Sequence, residues 1–291
     1  MTATTNPNPG TGAHKAPEAP RAPIDWARIG AYVVLLLLAV VYLGPLLMLL
    51  NTSLLTPAEF NRSPMTLPSS LSLDNFFEAW DKANFARYLL NSVLYVVIST
   101  TVFVVTGTFL SVAIARRFVR GGGLMFTLFL IALFLPPALI PQFQLILRLG
   151  LFNNPIGYMM LFVVNPIGIV ILVNYIRTIP IELDEAAAIE GAGYLRYVFQ
   201  IVMPLAKPAI ATVAVLHSIG IWNELILPTI YLTSEEYYPV TRGLIAFQGV
   251  YGNNWPLLAA GVMMIALPMV IFFIFAQRFI IGGVTAGAVK G

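Results

Sequence analysis

The chain has 291 residues, 58% of them hydrophobic and only 10% charged; soluble domains carry about a quarter charged residues, so the composition excludes a water-soluble globule. Zero cysteines and only two histidines, His14 and His217, exclude a disulfide scaffold, thiolate-ligated metal and a histidine cluster. The formal charge of +3 is too small for a nucleic-acid footprint and has meaning mainly through its distribution across a membrane.

Residues 1–27 are rich in Pro, Ala, Thr, Asn and Gly and hold nothing that could bury a core, which predicts a disordered cytoplasmic N-terminal tail. The apolar run behind it starts too late, is too long and lacks an Ala-x-Ala-like site, so it reads as a retained anchor and not a signal peptide. Stretches of about 20 apolar residues, the length that crosses a bilayer, fall near 29–50, 89–115, 124–147, 157–176, 209–231 and 257–277. The expectation is an all-α integral membrane protein with six transmembrane helices in a domain spanning 28–281, followed by a short tail, 282–291. Six crossings put both termini on one side. Placing them in the cytoplasm leaves Lys15, Arg21, Arg28, Arg116, Arg117, Arg120, Arg177, Arg196, Lys207, Arg278 and Lys290 inside, against Arg62, Lys82, Arg87, Arg148 and Arg242 outside, the bias that the positive-inside rule demands.

The outer segment 52–88 is broken by Pro57, Pro64 and Pro68, and its residues 74–80 read as a short amphipathic helix, there for packing or for docking an external partner. Pro136, Pro137 and Pro141 interrupt the third span, which predicts a kinked helix packed inside the bundle. Arg148, Asn153 and Asn154 form an outer turn.

Between the fourth and fifth spans lies a polar segment, 180–204. Pro180 suits the first helical position, and Glu182, Asp184 and Glu185 complement the dipole of a helix N-terminus. Ala186, Ala187 and Ala188 favour helix, and Gly191 stands where a left-handed cap is wanted. A second helix is expected over about 194–202, ending at Pro204. The segment is too apolar for a free loop and too charged for lipid. It either lies in a groove of a partner protein or rests on the headgroups.

Glu224 is the sole acidic residue that this reading places within a span, where a charge costs about 2.5–3.5 kcal/mol on insertion scales. With Trp222 and Asn223 beside it, and His217 two turns earlier, it is a candidate for the solute pathway or for a polar cluster that fixes helix packing.

These motifs resemble the inner-membrane permease subunits of binding-protein-dependent ABC importers. The resemblance rests on Glu185-Ala186-Ala187, then Glu190-Gly191-Ala192, then Met203-Pro204 in the cytoplasmic segment; the family commonly has Asp where this chain has Glu190. Leu73-Asp74-Asn75-Phe76, Leu135-Pro136-Pro137, Trp222-Asn223-Glu224 and the glycine-rich end after Gln277-Arg278 are similar to the carbohydrate-uptake branch, the last to maltose-type permeases. The resemblance implies a hetero-oligomer in the bacterial cytoplasmic (inner) membrane. Its other members would be a homologous second permease, two cytoplasmic ABC ATPases that bind ATP and Mg, and an extracytoplasmic sugar-binding protein. It also implies that Glu185 faces basic groups of the ATPase, that Ala186, Ala187 and Gly191 allow close packing there, and that the tail 282–291 reaches between the ATPases. No cofactor, metal or nucleic acid is expected on this chain. It carries neither His-Glu-x-x-His, Gly-x-Ser-x-Gly nor a Gly-x-x-x-x-Gly-Lys-Ser/Thr loop, so no catalytic residue is expected and it is not an enzyme. The alternative, an ion-coupled secondary transporter, would need several intramembrane ionisable groups.

Overall fold

The computed structural model describes residues 26–82, 84–250 and 254–288, with side chains described over 28–82, 84–245 and 254–278. The expected N-terminal tail lies outside these residues except at Trp26 and Ala27. Every regular element among them is helical. The chain divides into two units, 1–47 and 48–291.

The first unit contributes most of α1 (Trp26–Leu54), an apolar helix with Pro45 inside it. Its 27 residues from Arg28 rise about 40 Å at 1.5 Å per residue, enough to cross a hydrocarbon core of about 30 Å.

The second unit opens with α2 (Pro57–Arg62) and α3 (Asp74–Lys82). Glu59 ties this region together. Its carboxylate accepts from the Thr56 N–H and hydroxyl at 2.8 and 2.9 Å and from the Ser69 N–H at 3.1 Å, with the Ser69 hydroxyl as a further donor. Asn75 of α3 donates to the carbonyls of Ser53 and Leu55, which ends α1 against α3.

Next comes α4 (Phe85–Ala115), 31 residues without a proline. The remaining expected spans are more broken than the sequence implies. Positions 124–147 form α5 (Gly122–Ala132) and α6 (Leu139–Arg148), separated by the Pro136-Pro137 stretch and not merely kinked there. Two consecutive prolines remove two N–H donors and force the preceding residue out of the helical region. Positions 157–176 also form two helices, α7 (Pro155–Met160) and α8 (Pro166–Arg177). Each starts on an Asn-Pro pair: Asn154 Oδ1 accepts from Ile156 N at 2.8 Å and Asn165 Oδ1 from Gly168 N at 3.0 Å, with proline at the first helical position.

The polar segment forms α9 (Glu182–Ile189), α10 (Tyr194–Tyr197), a π-helical turn over Val198–Val202 and α11 (Met203–Leu205). The second helix thus includes Pro204 and ends one residue beyond it, at Leu205. The wider π turn, with Met203 N bonded to Val198 O, displaces the carbonyl that a proline ring would strike in a regular helix.

After Ala206 the chain turns into α12 (Lys207–Trp222), and the expected span 209–231 breaks again before α13 (Ile226–Tyr231). The last helices are α14 (Val240–Val250) and α15 (Trp255–Ala288), with Pro268 inside the latter. α15 continues helically through most of the range expected to be a thin tail. Among the described residues, α1, α4 and α15 contain the stretches long and apolar enough to cross a membrane unbroken; the pairs α8–α9 and α10/α11–α12 pass the same test only as bent units.

Two core clusters are strung along α4. Tyr88 and Tyr95 pack with Tyr158, Trp222 and Tyr231 toward its Phe85 end, and Phe103 and Val112 with Leu172, Ile176 and Val202 toward its Ala115 end. The approach of α8 to α4 is close: a Cβ on Gly168 would stand 2.5 Å from Phe103 Cζ and 2.9 Å from Val213 Cγ1.

Candidate functional site: the transverse segment and the Trp222–Glu224 break

α9 leaves α8 at 81°, and the helix Tyr194–Leu205 meets α12 at 84°. The polar segment thus lies crosswise at the end of the bundle that carries Arg116. Its sequence explains why. Glu182, Asp184 and Glu185 occupy the first turn of α9, where the helix dipole favours them. The far end is closed by two bonds, Ala192 N to Ala187 O at 2.9 Å and Gly191 N to Ala188 O at 3.1 Å, with Gly191 at φ +69°. This pair of bonds around a left-handed residue is the Schellman arrangement, and glycine enters it without a Cβ penalty.

Of the residues singled out from the sequence, Ala187 is buried against the bundle and Ala192 half-buried. Glu185, Ala186, Glu190, Gly191 and Pro204 are exposed, as are Ile189 and Leu195 at 87% and 65%. Exposed apolar side chains thus stand beside a row of carboxylates and small residues on this face.

The residues that hold this segment to the bundle were not among those singled out. Arg116, just past α4, places Nε 2.8 Å from Asp184 Oδ2 and donates from Nη2 to the Ile179 carbonyl at 3.0 Å. Tyr197 donates its hydroxyl to the other Asp184 oxygen at 2.5 Å. Burial first, and then the Asp184 carboxylate, push the Tyr197 phenol up to about 12, so the hydroxyl keeps the proton it donates. Tyr194 donates to Phe109 O of α4 at 2.6 Å, and the Phe118 ring meets Tyr194 and Tyr197 edge-on at 5.9 and 6.1 Å. Nothing in the spacing of Arg116, Asp184 and Tyr197 along the chain announces this cluster.

The second candidate region is a helix break. Glu224 Oε1 accepts from Ile226 N at 2.8 Å and Leu227 N at 3.1 Å, so the carboxylate supplies the acceptor for two orphan N–H donors at the start of α13. Its own carbonyl accepts from the Thr241 hydroxyl at 2.7 Å. Asn223 is exposed and donates to Ile219 O at 3.0 Å. Trp222 is buried with its indole N–H unpartnered, and it borders a cavity of about 420 Å³ with Thr100, Ser218 and Phe272. His217 stands apart from this group. Its Nε2 lies 3.0 Å from Phe162 O, which can only accept, so Nδ1 accepts from Asn165 Nδ2 at 2.8 Å, and Phe103 covers the ring at 4.6 Å. His217 is a packing residue with both nitrogens satisfied.

Residues 83–280, the stretch from α4 to α15 that holds both regions, match the model of the binding-protein-dependent transport system inner membrane component. The chain belongs to that family. Such a component is a permease of the bacterial inner membrane and not an enzyme. Among relatives of this permease, the melibiose/raffinose/stachyose import permease protein MelC of Bacillus subtilis is 32% identical over 273 residues, covering 89% of this chain and 96% of the relative. The arabinooligosaccharides transport system permease protein AraQ of Halalkalibacterium halodurans is 33% identical over 260 residues, 87% of this chain and 93% of the relative. A solved bacterial ABC transporter involved in the import of the acidic polysaccharide alginate includes a chain with the same fold, at TM-score 0.77 and 22% identity, over 90% of this permease and 99% of that chain.

Proposed function

We propose that this permease is the membrane subunit of an ATP-driven importer of a di- or oligosaccharide, working by alternating access. It would cross the membrane six times with both termini in the cytoplasm. The supporting observation is the crosswise segment 180–204: a transverse pair of helices whose exposed face is acidic, small and apolar, closed by a left-handed glycine. The sugar relatives support the solute class, since proteins named for melibiose, diacetylchitobiose and arabinooligosaccharide uptake align along about nine-tenths of the chain. α1, α4 and α15 supply three crossings in this reading, and the broken pairs α5–α6, α7–α8 and α12–α13 supply the other three.

In the assembled importer a second, homologous permease completes the pathway and an extracytoplasmic binding protein delivers the sugar. Two ATPase subunits bind ATP and Mg and grip α9, where Glu185 and Glu190 meet basic side chains and Ala186 and Gly191 admit close packing. Trp222 and Asn223 border the pathway. Glu224 shapes the break at their side and is the residue through which an ion-coupled carrier, the competing reading, would have to work.

Gentle extraction of the tagged chain from its native membrane tests this. Recovery of a P-loop ATPase and a second permease, lost on Gly191→Trp while the chain still inserts, is the expected result. Recovery of the chain alone, or full transport by Gly191→Trp, would sink the coupling assignment and return the ion-coupled reading.

A further inference from the structure

Force applied to the crosswise segment has three routes into the bundle. Two are covalent, through the bends of 81° into α8 and 84° into α12, where the chain changes direction. Both lead into helices that are interrupted beyond, at 161–165 and at 223–225. The third is the side-chain joint to α4. One carboxylate, Asp184, takes the Arg116 guanidinium from α4 and the Tyr197 hydroxyl from α10, while Arg116 also holds Ile179 O. The Arg116 and Asp184 side chains are only 7% and 16% exposed. A charge pair shielded from water to that degree is expensive to separate, because either partner would be left buried and uncompensated.

α4 is also suited to carry what that joint imposes. Its 31 residues form one helix of about 46 Å, with no proline and no break. Midway, Thr100 bonds Ser218 at 3.1 Å beside the cavity that Trp222 borders. Its far end is fastened to the 234–240 turn as firmly as its near end is to α9. Tyr88 donates to Glu235 Oε1 at 2.6 Å, Asn91 to Tyr238 O at 3.0 Å and Tyr95 to Tyr237 O at 2.9 Å, while Ser92 Oγ accepts from Val240 N at 2.8 Å.

We infer that α4 is the transmission rod of this subunit, with Arg116, Asp184 and Tyr197 as the positioning residues of its inner joint and Tyr88 with Glu235 forming its outer one. The inference rests on the coupling reading of 180–204. It adds that the stroke enters the membrane through α4 and reaches the 234–240 turn without passing through a broken helix.

The test uses the whole importer in lipid nanodiscs and reads ATPase retention, ATP hydrolysis and sugar uptake for Arg116→Gln, Tyr197→Phe and Tyr88→Phe. Arg116→Gln and Tyr88→Phe are expected to keep the ATPase bound and hydrolysing while uptake per ATP falls by about 5- to 150-fold, the range of ordinary coupling energies. Arg116→Lys, which keeps the charge, should recover most of the loss. Unchanged uptake per ATP in both Arg116→Gln and Tyr88→Phe would overturn the inference. The absence of native cysteine allows a second measurement with the joint intact. Spin-label pairs at Gln200→Cys with Val102→Cys and at Gln200→Cys with Leu216→Cys are compared with and without ATP. The α4 pair should hold its distance and the α12 pair should change; the reverse overturns the inference even if the joint variants fail to assemble. A Gly191→Trp chain that still binds ATPase would instead refute the coupling reading beneath it.

Discussion

Glu224 Oε1 lies 2.8 Å from the backbone nitrogen of Ile226, so the carboxylate that stands out in the sequence caps the start of α13. A carboxylate at a helix N-terminus gains from the dipole, and its two N–H bonds are charge-assisted. Glu224→Ala should therefore destabilise the purified subunit by about 1–2 kcal/mol, the usual cost of a lost cap, and Glu224→Gln by less because an acceptor remains. Thermal unfolding in detergent measures both. Should Gln cut uptake severely with no shift in unfolding, Glu224 also touches solute or ion.

Gly168 is where α8 leans on α4, with Phe103 Cζ 2.5 Å from the place a Cβ would take. Phe103 is fully buried and packed at a tilt against the His217 ring, so it has nowhere to retreat. Gly168→Ala is expected to cost about 1–3 kcal/mol through overpacking. A paired Phe103→Leu should recover part of that, measured as the unfolding shift of the double variant against each single one.

Those two sites also mark what was legible in the sequence. Apolar runs long enough to cross a membrane locate α1, α4 and α15, because length and hydropathy alone decide that question. The breaks were harder. Pro136-Pro137 announces one, and the turn at Asn153 and Asn154 precedes α7, but the Asn165-Pro166 pair, a cap followed by a proline, sits inside the apolar run 157–176 and leaves no mark on its hydropathy. Gly191 was legible as a cap because Schellman closure depends on local backbone alone. The Arg116–Asp184–Tyr197 joint was not, since it unites residues 13 and 68 positions from Asp184 on separate helices, and only the fold brings them together.

The segment around Glu59 carries its own pH signature. Hydrogen bonds from Ser69 first, and then from Thr56, hold the Glu59 carboxyl down to about 2, from 4.5. A carboxylate with a lowered folded value contributes order that is complete above about 4.5 and disappears as pH falls toward 2. Because pepsin's own carboxylates titrate in the same window, Glu59→Gln serves as the reference: pepsin cleavage within 60–68 of the native chain, relative to that variant, should rise toward equality as pH falls from about 4.5 to about 2. Equal protection of the two proteins at pH 4.5 and above would refute the clamp.

Gly191 separates backbone strain from partner contact. At φ +69° any L side chain other than Asn or Asp pays about 1–2 kcal/mol, yet a Cβ here meets nothing within 4 Å of this chain. Gly191→Asn should thus bind ATPase almost as the native chain does, and Gly191→Ala should lose only the strain. Gly191→Trp pays the same backbone cost and adds bulk that this chain leaves room for. Whatever Trp loses beyond Ala in a titration of purified ATPase against nanodisc-held permease is then steric exclusion by the partner. Equal affinities for Ala and Trp would mean that the glycine serves helix closure alone and that the ATPase sits elsewhere.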